Sequence, residues 1–296
     1  MIVSICCYFN WDNNQVRKNN YIKFRKNFQY PLKTIEICLK ESDFFIDDST
    51  KIIASPDNIL WQKERAFNLL LENLDEKYDK ILWVDTDILF QNSGMMQELE
   101  SKLDQYDMVQ PFETVMEYRD GIISENNCLN TYGYAKTLKD YTEKKELKCI
   151  QPAFGLTWAI NRSIMPNGYF YDEHILGSGD LLQIQSVTLD ILNKSFIGKY
   201  SDNIVRSWIN YCKKMPKKKY DIGYCYGSIE HFYHGKESNR GYKYRECLLN
   251  KYGFDPQLHL AIDDNGLYKI IYPELRTSIL KYFENRNIST YHKQTI

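Results

Sequence analysis

Residues 81–90 read Ile81-Leu82-Trp83-Val84-Asp85-Thr86-Asp87-Ile88-Leu89-Phe90, an apolar run broken by two aspartates one residue apart. Four apolar residues ending in a β-branched Val predict a strand buried on both faces. Two carboxylates at its end then fall where an open α/β sheet binds ligands, in the crevice beyond the carboxyl edge of its strands. Carboxylate oxygens suit hard divalent cations such as Mg²⁺ and Mn²⁺, and these in turn hold phosphate oxygens. The first expectation is a metal–nucleotide site.

The flanking sequence sets that strand in a larger frame. Ile2 to Phe9 is apolar from the start and predicts an opening strand, followed by a polar loop from Asn10 to Asn14. A helix is expected from Gln15 to Phe28, strands at Lys33 to Leu39 and Lys51 to Ala54, and a helix from Leu60 to Leu74. In that last helix Leu60, Trp61, Ala66, Phe67, Leu70, Leu71 and Leu74 recur at helical spacing. Strands interleaved with helices give a mainly parallel sheet with helices on both faces. A further helix is expected from Leu181 to Leu192, the polar stretch from Ser124 to Lys148 as a mobile loop, and the end from Tyr242 as a peripheral helical tail. No internal repeat or low-complexity linker interrupts the chain. The expected organisation is one α/β domain over residues 1–240 with a mostly helical C-terminal extension over 241–296 packed on it.

Composition narrows the function. With 38 basic and 39 acidic residues in 296, no global field favours nucleic acid. The cluster Lys213-Lys214 with Lys217-Lys218-Lys219 brackets Pro216 and reads as a solvated loop. Eight cysteines show neither a CxxC pair nor zinc-finger spacing, which fits reduced thiols in a cytoplasmic protein. No apolar run approaches the roughly 18 residues of a transmembrane helix, and the first residues lack the basic start of a signal peptide. The 24 tyrosines supply faces on which sugars stack, although a coding bias toward Tyr, Asn, Lys and Ile gives the same count.

Three further stretches carry chemistry. Ile229-Glu230-His231-Phe232-Tyr233-His234-Gly235-Lys236-Glu237-Ser238-Asn239-Arg240 sets two of the five histidines three residues apart. Neutral imidazoles are usual partners of carboxylates around Mn²⁺-like ions, and Lys236 and Arg240 are placed to neutralise a diphosphate. Gly177-Ser178-Gly179-Asp180 precedes a helix. Its glycines allow close backbone approach to a ligand, and Asp180 is a candidate general base, although Asp is also a favoured helix N-cap. Trp61-Gln62-Lys63-Glu64-Arg65-Ala66-Phe67-Asn68 opens a helix beyond a strand, with polar side chains that either reach a nucleotide or form a solvated face.

Together these pieces resemble glycosyltransferases of the GT-A fold over nearly the whole chain. The resemblance implies a Rossmann-like α/β/α sandwich with a mainly parallel mixed sheet. It matches Asp85-Thr86-Asp87 to the DxD motif, with Asp87 on the metal and Asp85 on the ribose or the metal. It assigns His231 and His234 as the pair completing the metal site, and Asp180 as the base of inverting members, with Gly179 departing from the acid usual before it. Gln62 and Arg65 match the helix lining the nucleotide pocket, Tyr8, Phe9 and Asn10 the uracil site, and Phe154, Gly155 and Trp158 the donor pocket wall. The Trp-Gln-Lys-Glu-Arg run, Gln110-Pro111-Phe112, His-x-x-His-Gly and Asp263 to Gly266 are similar to a poorly characterised set of bacterial and large-DNA-virus glycosyltransferases. The implied activity is Mn²⁺- or Mg²⁺-dependent transfer of a sugar from a UDP-sugar to a glycan or glycoconjugate hydroxyl. The rivals are a non-catalytic carbohydrate-binding protein and a haloacid-dehalogenase-type phosphatase. The phosphatase motif wants Thr or Val where this chain has Leu89.

Overall fold

The computed structural model describes residues 1–11, 13–118, 128–145, 149, 151–188, 199–235 and 241–291. Seven strands form the central sheet: β1 (Ile2–Phe9), β2 (Leu32–Cys38), β3 (Ser49–Ile53), β4 (Lys80–Val84), β6 (Met108–Gln110), β9 (Thr157–Asn161) and β10 (Ile222–Tyr224). Their order is β10-β6-β9-β4-β1-β2-β3, and all neighbours are parallel except where β9 runs against β4 and β6. A smaller sheet, ordered β5-β11-β7-β8, combines β5 (Ile88–Phe90), β7 (Thr114–Tyr118), β8 (Cys128–Tyr132) and β11 (Ser228–His231).

The alternation of strand side chains divides the core into two layers. Val3, Ile5, Cys7, Ile81 and Trp83 face one side, where Ala66 and Phe67 of α2 (Lys63–Glu72), Tyr134 and Leu138 of α4 (Tyr134–Lys144) and Ile184 of α5 (Gly179–Thr188) pack on them. Cys6, Tyr8, Leu82 and Val84 face the other, under Tyr21 and Phe24 of α1 (Gln15–Asn27) and Leu99 of α3 (Met95–Leu103). This is the expected α/β/α sandwich with a mainly parallel mixed sheet. The strands read as continuous apolar runs because both faces are covered.

One expectation needs correction. The stretch expected as a mobile loop holds β8 and α4, with residues 119–127, 146–148 and 150 outside the described residues. Few apolar residues suffice there because Tyr134, Ala135 and Leu138 share one buried face of α4. The final stretch, expected to be mostly helical, holds three helices and one hairpin. Between α7 (Tyr242–Lys251), α8 (Pro256–His259) and α9 (Pro273–Tyr291) lies a hairpin of β12 (Leu260–Ile262) and β13 (Tyr268–Ile270). Its turn is the Asp263 to Gly266 stretch. Asp263 Oδ1 accepts from the backbone N–H groups of Asn265 and Leu267, and Gly266 takes a φ of 81°. The hairpin packs closely on the sandwich, with Leu267 in the core beside α2 and Tyr268 in an apolar cluster with Trp208 of α6 (Asp202–Lys213) and Leu249 of α7.

Candidate metal and donor cleft

The carboxyl ends of β1 and β4 open into a cleft of about 300 Å³. Its two walls are built by different devices. On one, β11 lies between β5 and β7, so His231 sits opposite Ile88 on one side and Glu117 on the other. The Phe232 N–H donates to the Asp87 carbonyl at 2.7 Å, which ties the chain after β11 to the aspartate turn. Asp87 Oδ2 then lies 3.0 Å from His234 Nδ1 and 3.7 Å from His231 Nε2. One ligand atom from each of these three residues falls within 4.8 Å of the others, a donor set suited to a divalent cation. Glu117 completes the arrangement. Its carboxylate bonds His231 Nδ1, which leaves Nε2 turned toward Asp87, the carboxylate–histidine relation that orients metal-binding imidazoles.

The charges agree with that geometry. Burial opposes ionisation of Asp87, yet the His234 and His231 imidazoles hold its carboxyl well below the usual range. Burial likewise pulls the His231 imidazole down. Its bonds to Asp87 and Glu117 outweigh this and push it up to about 10 in the metal-free protein.

The other wall is formed by α2, α5 and the end of β4. Trp83 and Asp85, two residues apart on an extended strand, point to the same face, toward α2. Lys63 Nζ donates to Asp85 Oδ1 at 2.9 Å and to Asp180 Oδ1 and Oδ2 at 3.0 and 2.8 Å. The Trp83 indole N–H also donates to Asp180 Oδ1, at 3.0 Å. Burial pushes the Asp85 carboxyl up to about 6, opposed by Lys63 and reinforced by the Asp180 and Asp87 carboxylates. Burial raises Glu64 to about 8, again against Lys63. The Glu64 carboxylate fills the place a side chain at 179 would need, since a Cβ on Gly179 would stand 2.1 Å from Glu64 Cδ. An acid is therefore present beside Asp180, but it comes from α2 rather than from the adjacent position in the chain.

The expected site residues divide between cleft and scaffold. Tyr8, Phe9, Asp85, Asp87, Asp180 and His234 line the cleft, and His231 stands behind Asp87. Asp85 lies apart from the three-residue metal set, with its carboxylate bonded to Lys63. Phe9 packs on Trp61 with ring centroids 4.7 Å apart, giving the cleft an aromatic edge. Asn10 instead closes its own loop, bonding Tyr8 Oη and the backbone of Asn14. Gln62 is 1% exposed and turned from the cleft. Its amide bonds the carbonyls of Asn58 and Tyr268 and accepts from the Tyr268 N–H. Arg65 donates to the Gly266 carbonyl and lies 3.5 Å from Asp172. Both belong to the docking of the C-terminal hairpin, because α2 presents Lys63 and Glu64 inward and turns Gln62 and Arg65 to its other faces. Trp158 is wholly buried in the core, with its indole on the Phe154 carbonyl. Lys236 and Arg240 lie outside the described residues.

Cations that sequence reading did not single out also reach the cleft. Arg17 of α1 lies over the Trp61 ring at 5.5 Å, and Arg245 of α7 packs against Gly177. Gly177, at φ 94°, allows that approach, since a Cβ there would stand 2.3 Å from Arg245 Nη1. Lys63 was legible only as part of a charged run, and no local signal marks Arg17 or Arg245.

No protein-family model matches the chain, and neither does any curated protein. Among solved structures it is similar to glucosyl-3-phosphoglycerate synthase from Mycobacterium tuberculosis, solved with Mn²⁺, UDP and phosphoglyceric acid. The identity is 11% and the TM-score 0.40, over 88% of this chain and 81% of that one. It is similar to the bifunctional IspDF from Campylobacter jejuni at 12% identity and a TM-score of 0.35. That match covers 76% of this chain but only 49% of the other, so the chain spans about half the length of that protein. The galactosyltransferase LgtC, solved with donor and acceptor sugar analogues, matches at 11% identity and a TM-score of 0.28, over 99% and 97% of the two chains. Likenesses this distant assign no activity.

Proposed function

We propose that this protein is a metal-dependent glycosyltransferase of GT-A type that moves a sugar from a UDP-sugar to a hydroxyl of a glycan or glycoconjugate. The observation that carries the reading is the Asp87, His231 and His234 set at a cleft that also receives Asp85, Lys63, Arg17 and Arg245. Two imidazoles and a carboxylate, with Glu117 orienting one ring, make a donor set for Mn²⁺ or Mg²⁺. Such an ion supplies Lewis-acid stabilisation of charge on a diphosphate leaving group. The protein's own contribution is fixed positive charge from Arg17 and Arg245, an aromatic edge of Phe9 and Trp61 for the nucleoside, and the Asp85 carboxylate for a ribose hydroxyl. Lys236 and Arg240 remain further candidates for the diphosphate. Eight free thiols favour a reducing, cytoplasmic setting. Among the described residues no helix is long and apolar enough to cross a membrane.

Titration of UDP in the presence and absence of Mn²⁺, on wild type and Asp87→Ala, tests the proposal. Metal-dependent binding that falls by at least about 100-fold in the variant is expected from loss of a direct ligand. Binding that ignores the metal, or survives the substitution, would exclude it and favour a carbohydrate-binding role.

A further inference from the structure

The turn Gly177-Ser178-Gly179-Asp180 enters α5 through a residue that an unconstrained chain would not hold there. Ser178 takes a φ of 67°, in the left-handed region that disfavours a side chain, and it lines the cleft. Such a conformation persists only where its surroundings over-determine it, and it concentrates at functional sites. Here the hold comes from α7. A serine at a helix start commonly turns its hydroxyl onto its own first turn, but Ser178 Oγ donates to Glu246 Oε1 at 3.1 Å. Glu246 Oε2 lies 3.3 Å from His174 Nε2. The His174 ring is buried and its Nδ1 has no hydrogen-bond partner among the described residues. The ring proton therefore belongs on Nε2, where the carboxylate accepts it. His174 is itself fixed. Its ring packs edge-on against Tyr200, and the chain beside it is tied to the entry of α2 by the Trp61 N–H on the Ile175 carbonyl at 2.9 Å. Arg245, the neighbour of Glu246 on α7, packs against the same turn in the space that Gly177 leaves. Ser178 in turn sets α5, since its carbonyl accepts from the Leu182 N–H at 3.0 Å, and Asp180 stands within that first turn.

Resting on the transferase reading above, we propose that Glu246 is a positioning residue of the cleft. By holding Ser178 in its left-handed form it fixes the start of α5, and Asp180 with it, beside the donor. The C-terminal segment is thereby part of the working cleft as well as a support for the sandwich. Both oxygens of Glu246 are engaged by fixed donors, so its carboxylate acts as a brace and does not itself meet the sugar. The hold of Lys63 and Trp83 on Asp180 requires that the helix start already be in register.

Two measurements on the full chain test this. Glycine takes a positive φ without strain, so Ser178→Gly keeps the fold while removing the brace. Hydrogen exchange at the first turn of α5 is expected to quicken at least about 10-fold in Ser178→Gly and in Glu246→Ala. It should stay near wild type in Glu246→Gln, whose amide oxygen still accepts from Ser178. Unchanged exchange in the first two variants overturns the brace. The second measurement compares turnover of a panel of UDP-sugars, with Mn²⁺ present, against UDP binding. Ser178→Gly and Glu246→Ala are each expected to lower kcat about 10- to 100-fold and to leave UDP affinity unchanged, with Glu246→Gln restoring most of the rate. The double variant should lose no more than either single one, because both remove the same bond. Full turnover in the single variants, additive losses, or a loss of UDP affinity matching the loss of turnover overturns the proposal. Absence of Mn²⁺-dependent UDP binding or of turnover in wild type strikes the transferase reading itself, so the two failures are told apart.

Discussion

Asp85 and Asp87 stand two residues apart, yet the fold treats them in opposite ways. Asp87 lies in the turn before β5 and meets two imidazoles delivered by β11 and the residues after it. Asp85 continues the alternation of β4 and meets α2, where one ammonium is shared with Asp180. Their acidities separate accordingly, with Asp87 held well below the usual carboxyl range and Asp85 raised to about 6. The difference teaches that a paired-aspartate motif is not one environment but two, divided by the turn between its members. One carboxylate is held in its charged form by two imidazoles, while the other belongs to a buried charge cluster on the opposite wall.

Four experiments sharpen or break that division. Lys63→Met removes the only cation bonded to both Asp85 and Asp180 among the described residues and leaves two partly buried carboxylates facing each other. The expected cost is about 2–4 kcal/mol in urea unfolding, toward the low end of breaking a buried ion pair because the cleft admits water. A loss below about 0.5 kcal/mol would show that the two walls are not electrically distinct. Glu117→Gln acts on the opposite wall. It keeps the shape but weakens the hold on His231 Nδ1, and Mn²⁺ affinity is expected to fall about 10- to 100-fold by titration calorimetry. UDP binding without metal should not change.

The third experiment varies pH. Glu64 has a folded-state value of about 8, above its ordinary value of 4.5. Its protonated form is the one the fold favours, so its contribution is complete below about pH 4.5 and is lost as pH rises through about 8. The metal-free protein should therefore lose stability against Glu64→Gln over that window, on the order of a few kcal/mol at its alkaline end. Thermal unfolding of both proteins between about pH 5 and about pH 9, which brackets the Glu64 value of about 8, reads the difference, and parallel curves would place Glu64 outside the cluster. The smallest effect is expected at Gln62. Gln62→Ala strands the buried Tyr268 N–H and should cost about 1–3 kcal/mol of stability, with UDP affinity unchanged. A change in UDP affinity would return Gln62 to the cleft.

Much of this was legible in the sequence, for physical reasons that differ by region. Apolar strands of a parallel sheet are continuous in the chain, so β1, β2 and β4 announce themselves, as do the amphipathic face of α2 and the aspartates at the end of β4. The spacing His231-x-x-His234 was equally local, because both rings come from one strand end. What the chain by itself determined is thus whatever one element can carry: its period, its caps and the ligands it delivers together. The tertiary structure decided the rest. Only packing shows that α2 turns Lys63 and Glu64 inward and Gln62 and Arg65 outward, that Glu117 on β7 stands beside His231, and that Glu64 fills the space left by Gly179. These relations join residues tens to hundreds of positions apart. Their electrostatics arise from shared burial and distance, which no window of the sequence contains. For the opening stretch this means that strand and aspartate pair were written in residues 81–90, while the opposite acidities of Asp85 and Asp87 were set by the neighbours the fold brought to each.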